Sequence, residues 1–163
     1  GIAALVMTLM IGSRRNYNNH PTAPHNIPLV VIGAALLWFG WFGFNAGSGL
    51  AADGLAISAF LATHVATATA AISWALLDWK INKKPTVIGI CTVAITPAAG
   101  FVGVLGAVII GLIVAVVCYF MVSVIKHKFG YDDSLDAFGV HGIGGILGAI
   151  ATGFLATPAI QSS

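Results

Sequence analysis

All seven lysines and arginines of this 163-residue chain fall into three short clusters: Arg14 and Arg15; Lys80, Lys83 and Lys84; Lys126 and Lys128. The runs between and beyond them are apolar, and several are long enough to cross a bilayer, which takes about 20 residues. Lipid offers no water to backbone N–H and C=O groups, so such runs must satisfy them internally, as helices. The clustering predicts an all-α polytopic membrane protein. A partial span at 1–12 is followed by spans near 27–48, 55–79, 86–98, 100–126 and 134–156, all in one transmembrane domain over 1–163.

Composition agrees. Hydrophobic residues make up 58% of the chain and charged residues only 7%, with a mean hydropathy of +0.97. A soluble domain carries roughly 25% charged residues. The basic clusters occupy alternate loops, while 49–54 and the segment around Thr96-Pro97 hold no Lys or Arg. By the positive-inside rule, the loops 13–26, 80–85 and 126–132 face the cytoplasm of a multi-pass protein of the cell membrane. The span at 86–98 is short: about 20 Å of helix against a core of about 30 Å. The chain opens within an apolar run at Gly1 without a visible signal peptide, and it is expected to be a piece of a longer protein.

Small residues recur at helix-packing spacings, as in Gly103, Gly106, Ala107 and Gly111, and again in Gly142, Gly145, Gly148 and Ala149. They let helix backbones approach where lipid gives no hydrophobic incentive to associate. Cys91 and Cys118 read as small hydrophobes in packing. His64 reads as a packed, hydrogen-bonded histidine, with a pore role as the alternative. Trp74, Asp78 and Trp79 beside Lys80 read as an interfacial anchor.

Familiar reaction chemistries are absent. The sequence has no HExxH, no GxSxG, no phosphate loop, no paired cysteines and no glutamate. No enzyme activity, cofactor, metal or nucleic-acid partner is expected. Two segments are left unexplained by composition. In WFGWFGFNAGSG, at 38–49, Trp38 and Phe39 suit an aromatic belt. Phe44 and Ser48, four apart, share a helix face, and a ring beside a hydroxyl can recognise a small cation. In DSLDAFGVHGIGGILG, at 133–148, His141 lies eight residues past Asp133, about 12 Å deeper if helical. An ionisable ring at such depth marks a polar pathway by default. Asp133 fits a helix N-cap with Asp136 at N3, where the dipole favours an anion, and pore electrostatics is an equal reading for Asp133.

HNIPLVVIGAALLWFGWFGFNAGS at 25–48, ITPAAGFV at 95–102 and DDSLDAFGVHGIGG at 132–145 closely resemble the ammonium transporter family, the Amt/Mep/Rh superfamily, in its Amt branch. The resemblance runs over essentially the whole chain. It implies a homotrimer with one pore per subunit, each of eleven helices in two inverted halves, this chain covering the end of the fifth helix through the tenth. Ser48 then resembles the hydroxyl of an external ammonium recruitment site, Phe44 one of two gating phenylalanines, and His141 the second of two pore histidines. The first histidine belongs a few residues before Gly1. Asp133 resembles the acid that precedes that first histidine in the other half, and Trp41, Asn45, Thr96, Asp133 and Asp136 support the site. The partners implied are ammonium or ammonia, with methylammonium as analogue, the lipid bilayer and a cytoplasmic PII-type regulator. The family has about six more small residues between Thr92 and Val93, a difference worth about 240° of turn and 9 Å of helix. An ammonium sensor of the same fold and an inactive paralogue are the alternatives to a transporter.

Overall fold

Polar side chains decide where the apolar helices begin. The computed structural model describes residues 1–15, 17, 24–93 and 102–156. After α1 (Ile2–Ile11), α2 (Ile27–Asn45) starts where the Asn26 side chain accepts the Leu29 N–H at 3.0 Å, with a proline in its first turn. A 3₁₀ turn, Gly47–Gly49, follows it. Asp53 caps α3 (Gly54–Asn82) by accepting the Ala56 N–H at 2.9 Å, and left-handed Lys83 ends it. Then come α4 (Val87–Val93) and α5 (Val104–Phe120). The latter continues through a π-helical segment, Met121–Ile125, into α6 (Lys126–Phe129). Gly130, at φ 67°, stops that run. A second π segment, Phe138–Ile143, leads into α7 (Gly144–Leu155). Beyond helices and turns, the described residues hold one isolated antiparallel bridge, between Val102 and Ala156.

Four helical stretches are long and apolar enough to span: Ile27–Gly49, Gly54–Asn82, Val104–Phe129 and Phe138–Leu155, of 23, 29, 26 and 18 residues. In the short span expected at 86–98, Thr86 precedes the helix, the seven residues of α4 are helical, and 94–98 lie outside the described residues.

The tightest packing is between α3 and α5. Ala59, Ala62, Ala66 and Ala70 form a buried small-residue stripe on α3, and Ala107, Ile110, Gly111 and Val114 are buried along α5. At Gly111 a Cβ would lie 2.5 Å from the Ala66 carbonyl oxygen and 2.9 Å from Thr69 Cβ, so the backbones meet there only because the side chain is absent. Cys118 is free and fully buried in the same core, in keeping with a packing role.

The interfacial anchor expected at the end of α3 is only partly one. Trp79 is exposed, but Trp74 is buried edge-on against Tyr119 at 5.0 Å, and Asp78 is buried too. Asp78 accepts the Thr86 N–H at 3.1 Å, the Thr86 hydroxyl at 2.7 Å and the Asn82 amide at 3.1 Å. The carboxylate is inward because it satisfies the polar groups of the α3–α4 turn.

One contact joins two of the basic loops, and another ties the end of α3 to α5. Arg14 pairs with Asp132, and the Asn82 amide reaches the Tyr119 hydroxyl at 3.1 Å. The loop at 46–53, which lacks Lys and Arg, joins α2 and α3 at their other ends.

Candidate functional site

The segments around His141 come from distant parts of the chain. The Trp41 indole, on α2, lies nearly parallel to the His141 imidazole, with centroids 6.4 Å apart and planes 15° apart. Phe44, one turn further along α2, lies 5.4 Å from Trp41. Phe44, Trp41 and His141 thus form an aromatic column running from the α2–α3 loop toward a histidine carried in a π segment. From the other side, the start of α1 comes so close that a Cβ on Gly1 would run into the backbone of Gly142. Gly139, Val140 and Gly142 are buried while His141 is exposed, so the backbone is packed in and the ring is presented beside Trp41.

At the loop end, the exposed Ser48 hydroxyl donates to the Phe44 carbonyl. Its proton is thereby used, and its lone pairs are left to accept from a donor. The Asn45 amide donates to the Thr63 hydroxyl at 2.9 Å, fixing the end of α2 to α3. Thr96 lies outside the described residues. His64, expected to be hydrogen-bonded, is exposed and instead sits among rings, 5.4 Å from Trp38 and 6.1 Å from Phe42.

The start of the His141 helix differs from the expected cap. Asp133 accepts the Phe138 N–H at 2.7 Å, five residues on, and helical backbone begins only at Ala137. Asp136 is therefore not at N3. It takes a left-handed φ of 54°, which an aspartate tolerates better than most residues and which breaks the helix just before it starts. Its carboxylate turns to Lys126 Nζ at 2.6 Å. Burial pushes the Asp136 carboxyl above its ordinary value, against the pull of Lys126.

Next to this turn stands a contact that sequence reasoning missed. Arg14 grips Asp132 with three bonds: its backbone N–H and Nε to Oδ2 at 2.8 and 2.7 Å, and a terminal nitrogen to Oδ1 at 2.6 Å. The Arg14 guanidinium holds the Asp132 carboxyl below the usual carboxylate range. The Tyr17 hydroxyl donates to the Tyr131 carbonyl at 3.1 Å and reinforces the junction. In the sequence Arg14 reads only as one charge of a basic loop, and Asp132 stands in the shadow of Asp133.

A bundle of bilayer-length helices with a histidine inside one of them defines a polytopic α-helical membrane protein. More narrowly, the chain belongs to the ammonium transporter family, whose model, described as Ammonium Transporter Family, matches residues 1–163. It is 52% identical over 164 residues to an ammonium transporter of Aquifex aeolicus (strain VF5), a match covering 97% of this chain and 38% of that protein. It is 49% identical over 169 positions, six more than it has residues, to an ammonium transporter of Bacillus subtilis (strain 168). That match covers 100% of this chain and 41% of the relative. Among solved structures, one named Sensor Amt Protein superposes with a TM-score of 0.86 at 29% identity, over 96% of this chain and 41% of that one. Mep2 of Saccharomyces cerevisiae superposes with a TM-score of 0.84 at 34% identity, over 96% and 37%. The chain spans about two fifths of the length of these relatives.

Proposed function

We propose that this chain supplies one half of an ammonium pathway across the cell membrane, with Ser48 at its outer mouth, Phe44 as gate and His141 in its lumen. The observation that carries this reading is the column of rings from Phe44 through Trp41 to His141, with a hydroxyl acceptor at its loop end. Ammonium offers N–H donors to Ser48 and a charge to the Phe44 face, whereas potassium has no proton to donate. Past Phe44 the column continues through the Trp41 ring, and an unpaired cation out of water there is too costly to carry. The proton is lost, and ammonia passes His141, whose two nitrogens can accept from it or donate to it. The Trp41 Nε1–H, buried and without a partner among the described residues, adds a donor beside the histidine.

The start of α1 lies against Gly142, so a histidine preceding Gly1 by a few residues would arrive next to His141 and complete a pore pair. In the same reading the three basic loops are cytoplasmic, the whole protein is a homotrimer, and a PII-type protein docks on the cytoplasmic face. A sensor of the same fold is the second reading, motivated by the likeness to the structure of that name. The higher identity to relatives named as transporters favours transport.

The test is His141→Ala in a complete transporter carrying this sequence. Selective methylammonium uptake should fall at least tenfold with membrane abundance unchanged. Wild-type uptake with normal discrimination against potassium would overturn the assignment.

A further inference from the structure

We propose that Arg14 is a positioning residue for His141, acting through its three-bond grip on Asp132. The proposal rests on the reading of His141 as a pore residue. The connection is short and continuous. Asp132 is fixed by Arg14, and its side chain is 1% exposed against 45% for Arg14. The next residue, Asp133, spends its carboxylate on the Phe138 N–H, the first residue of the π segment. The Tyr131 ring packs edge-on against the Phe138 ring at 6.0 Å, so the same turn holds that residue from a second side. His141 follows three residues later.

The grip also spans 118 residues of sequence. It joins the segment after α1 to the turn before the His141 helix, while the other end of α1 touches Gly142. One contact ties the residues that follow α1 to the turn before the π segment, and the other sets the start of α1 against the π segment itself. A π segment closes i→i+5 bonds in place of the α-helix's i→i+4, which shifts the register of the residues it carries, and such turns are rare and frequent at functional sites. The clamp sets where that segment begins, and so the height and rotation of the imidazole relative to α1 and Trp41. A neutral surface pairing would not need a buried carboxylate. Arginine's planar fork reads both oxygens, and lysine, a point charge, cannot.

The variants are Arg14→Lys, which keeps the charge and loses the fork, and the double variant Arg14→Gln/Asp132→Asn, which leaves no buried charge. Both are made in a complete transporter carrying this sequence, and methylammonium uptake is measured per copy of protein in the membrane. Misplacing a reacting group by about 1 Å can cost on the order of a hundredfold, so Vmax per copy should fall about tenfold or more while KM stays within about twofold. If Arg14→Lys does not reach the membrane, the double variant decides. Vmax per copy within about twofold of wild type overturns the proposal, as does a rise in KM at unchanged Vmax. Loss of both variants from the membrane also overturns it, since the pair would then be structural alone. His141→Ala run in parallel separates the two readings. If it transports normally, the pore assignment fails. If it is inactive while the Arg14 variants are normal, only the positioning role fails.

Discussion

Ser48 illustrates how much a single residue can be asked to do. Its hydroxyl proton is committed to the Phe44 carbonyl, so toward any further partner it is an acceptor only. A net hydrogen bond is worth about 0.5–1.5 kcal/mol, which converts to roughly a two- to tenfold change in binding. Ser48→Ala should therefore raise the apparent KM for ammonium or methylammonium about two- to tenfold and leave Vmax nearly unchanged, as read from concentration-dependent uptake. A lost Vmax with unchanged KM would mean that Ser48 serves to hold Phe44 rather than to meet the cation. The residue types at this end were legible in the sequence because Phe44 and Ser48 are one turn apart. The Trp41–His141 pairing was not, because it joins α2 to a segment 100 residues away.

At the scale of elements, the long apolar helices and the small-residue seam between α3 and α5 could be read from patterning, since both repeat at helical spacing. The start of the His141 helix could not. A cap placed from spacing alone puts Asp133 at N-cap and Asp136 at N3, but the left-handed backbone of Asp136 displaces the helix start and turns its carboxylate to Lys126. The π segments were equally invisible, because the same apolar sequence fits an α-helix. What remains for Asp133 is a cap made at a distance, by side chain to the Phe138 N–H. Asp133→Ala should cost about 1 kcal/mol, the usual worth of such a cap, whereas Asp133→Asn keeps an acceptor oxygen and should stay within about 0.5 kcal/mol of wild type. Thermal unfolding of the purified transporter in lipid nanodiscs distinguishes them. If both variants lose stability equally, the charge matters and not the cap.

At the scale of the whole molecule, polar contacts tie together segments far apart in the chain, Arg14 to Asp132 and Asn82 to Tyr119. No local pattern in the sequence pairs Arg14 with Asp132, because only the tertiary fold brings them together. The pairing makes the assembled bundle sensitive to acid, and the sign follows from the direction of the shift. Asp132 is held below the usual carboxylate range, chiefly by its bond to the Arg14 side chain, so its folded pKa is below its unfolded value of about 4. The stabilisation it confers is complete above that unfolded value and disappears as pH falls through the folded one. Asp136 shifts the other way, raised chiefly by burial, and its contribution fades as pH rises through its folded value. A comparison of wild type with Asp132→Asn cancels Asp136, which both proteins carry. Melting temperature should then be lower for Asp132→Asn at pH 7, with the two curves converging below about pH 4 as the wild-type carboxylate takes up its proton. Curves that stay parallel from pH 7 to pH 3 would mean that Arg14 and Asp132 touch without stabilising the fold, and that the bundle is closed by its apolar seams alone.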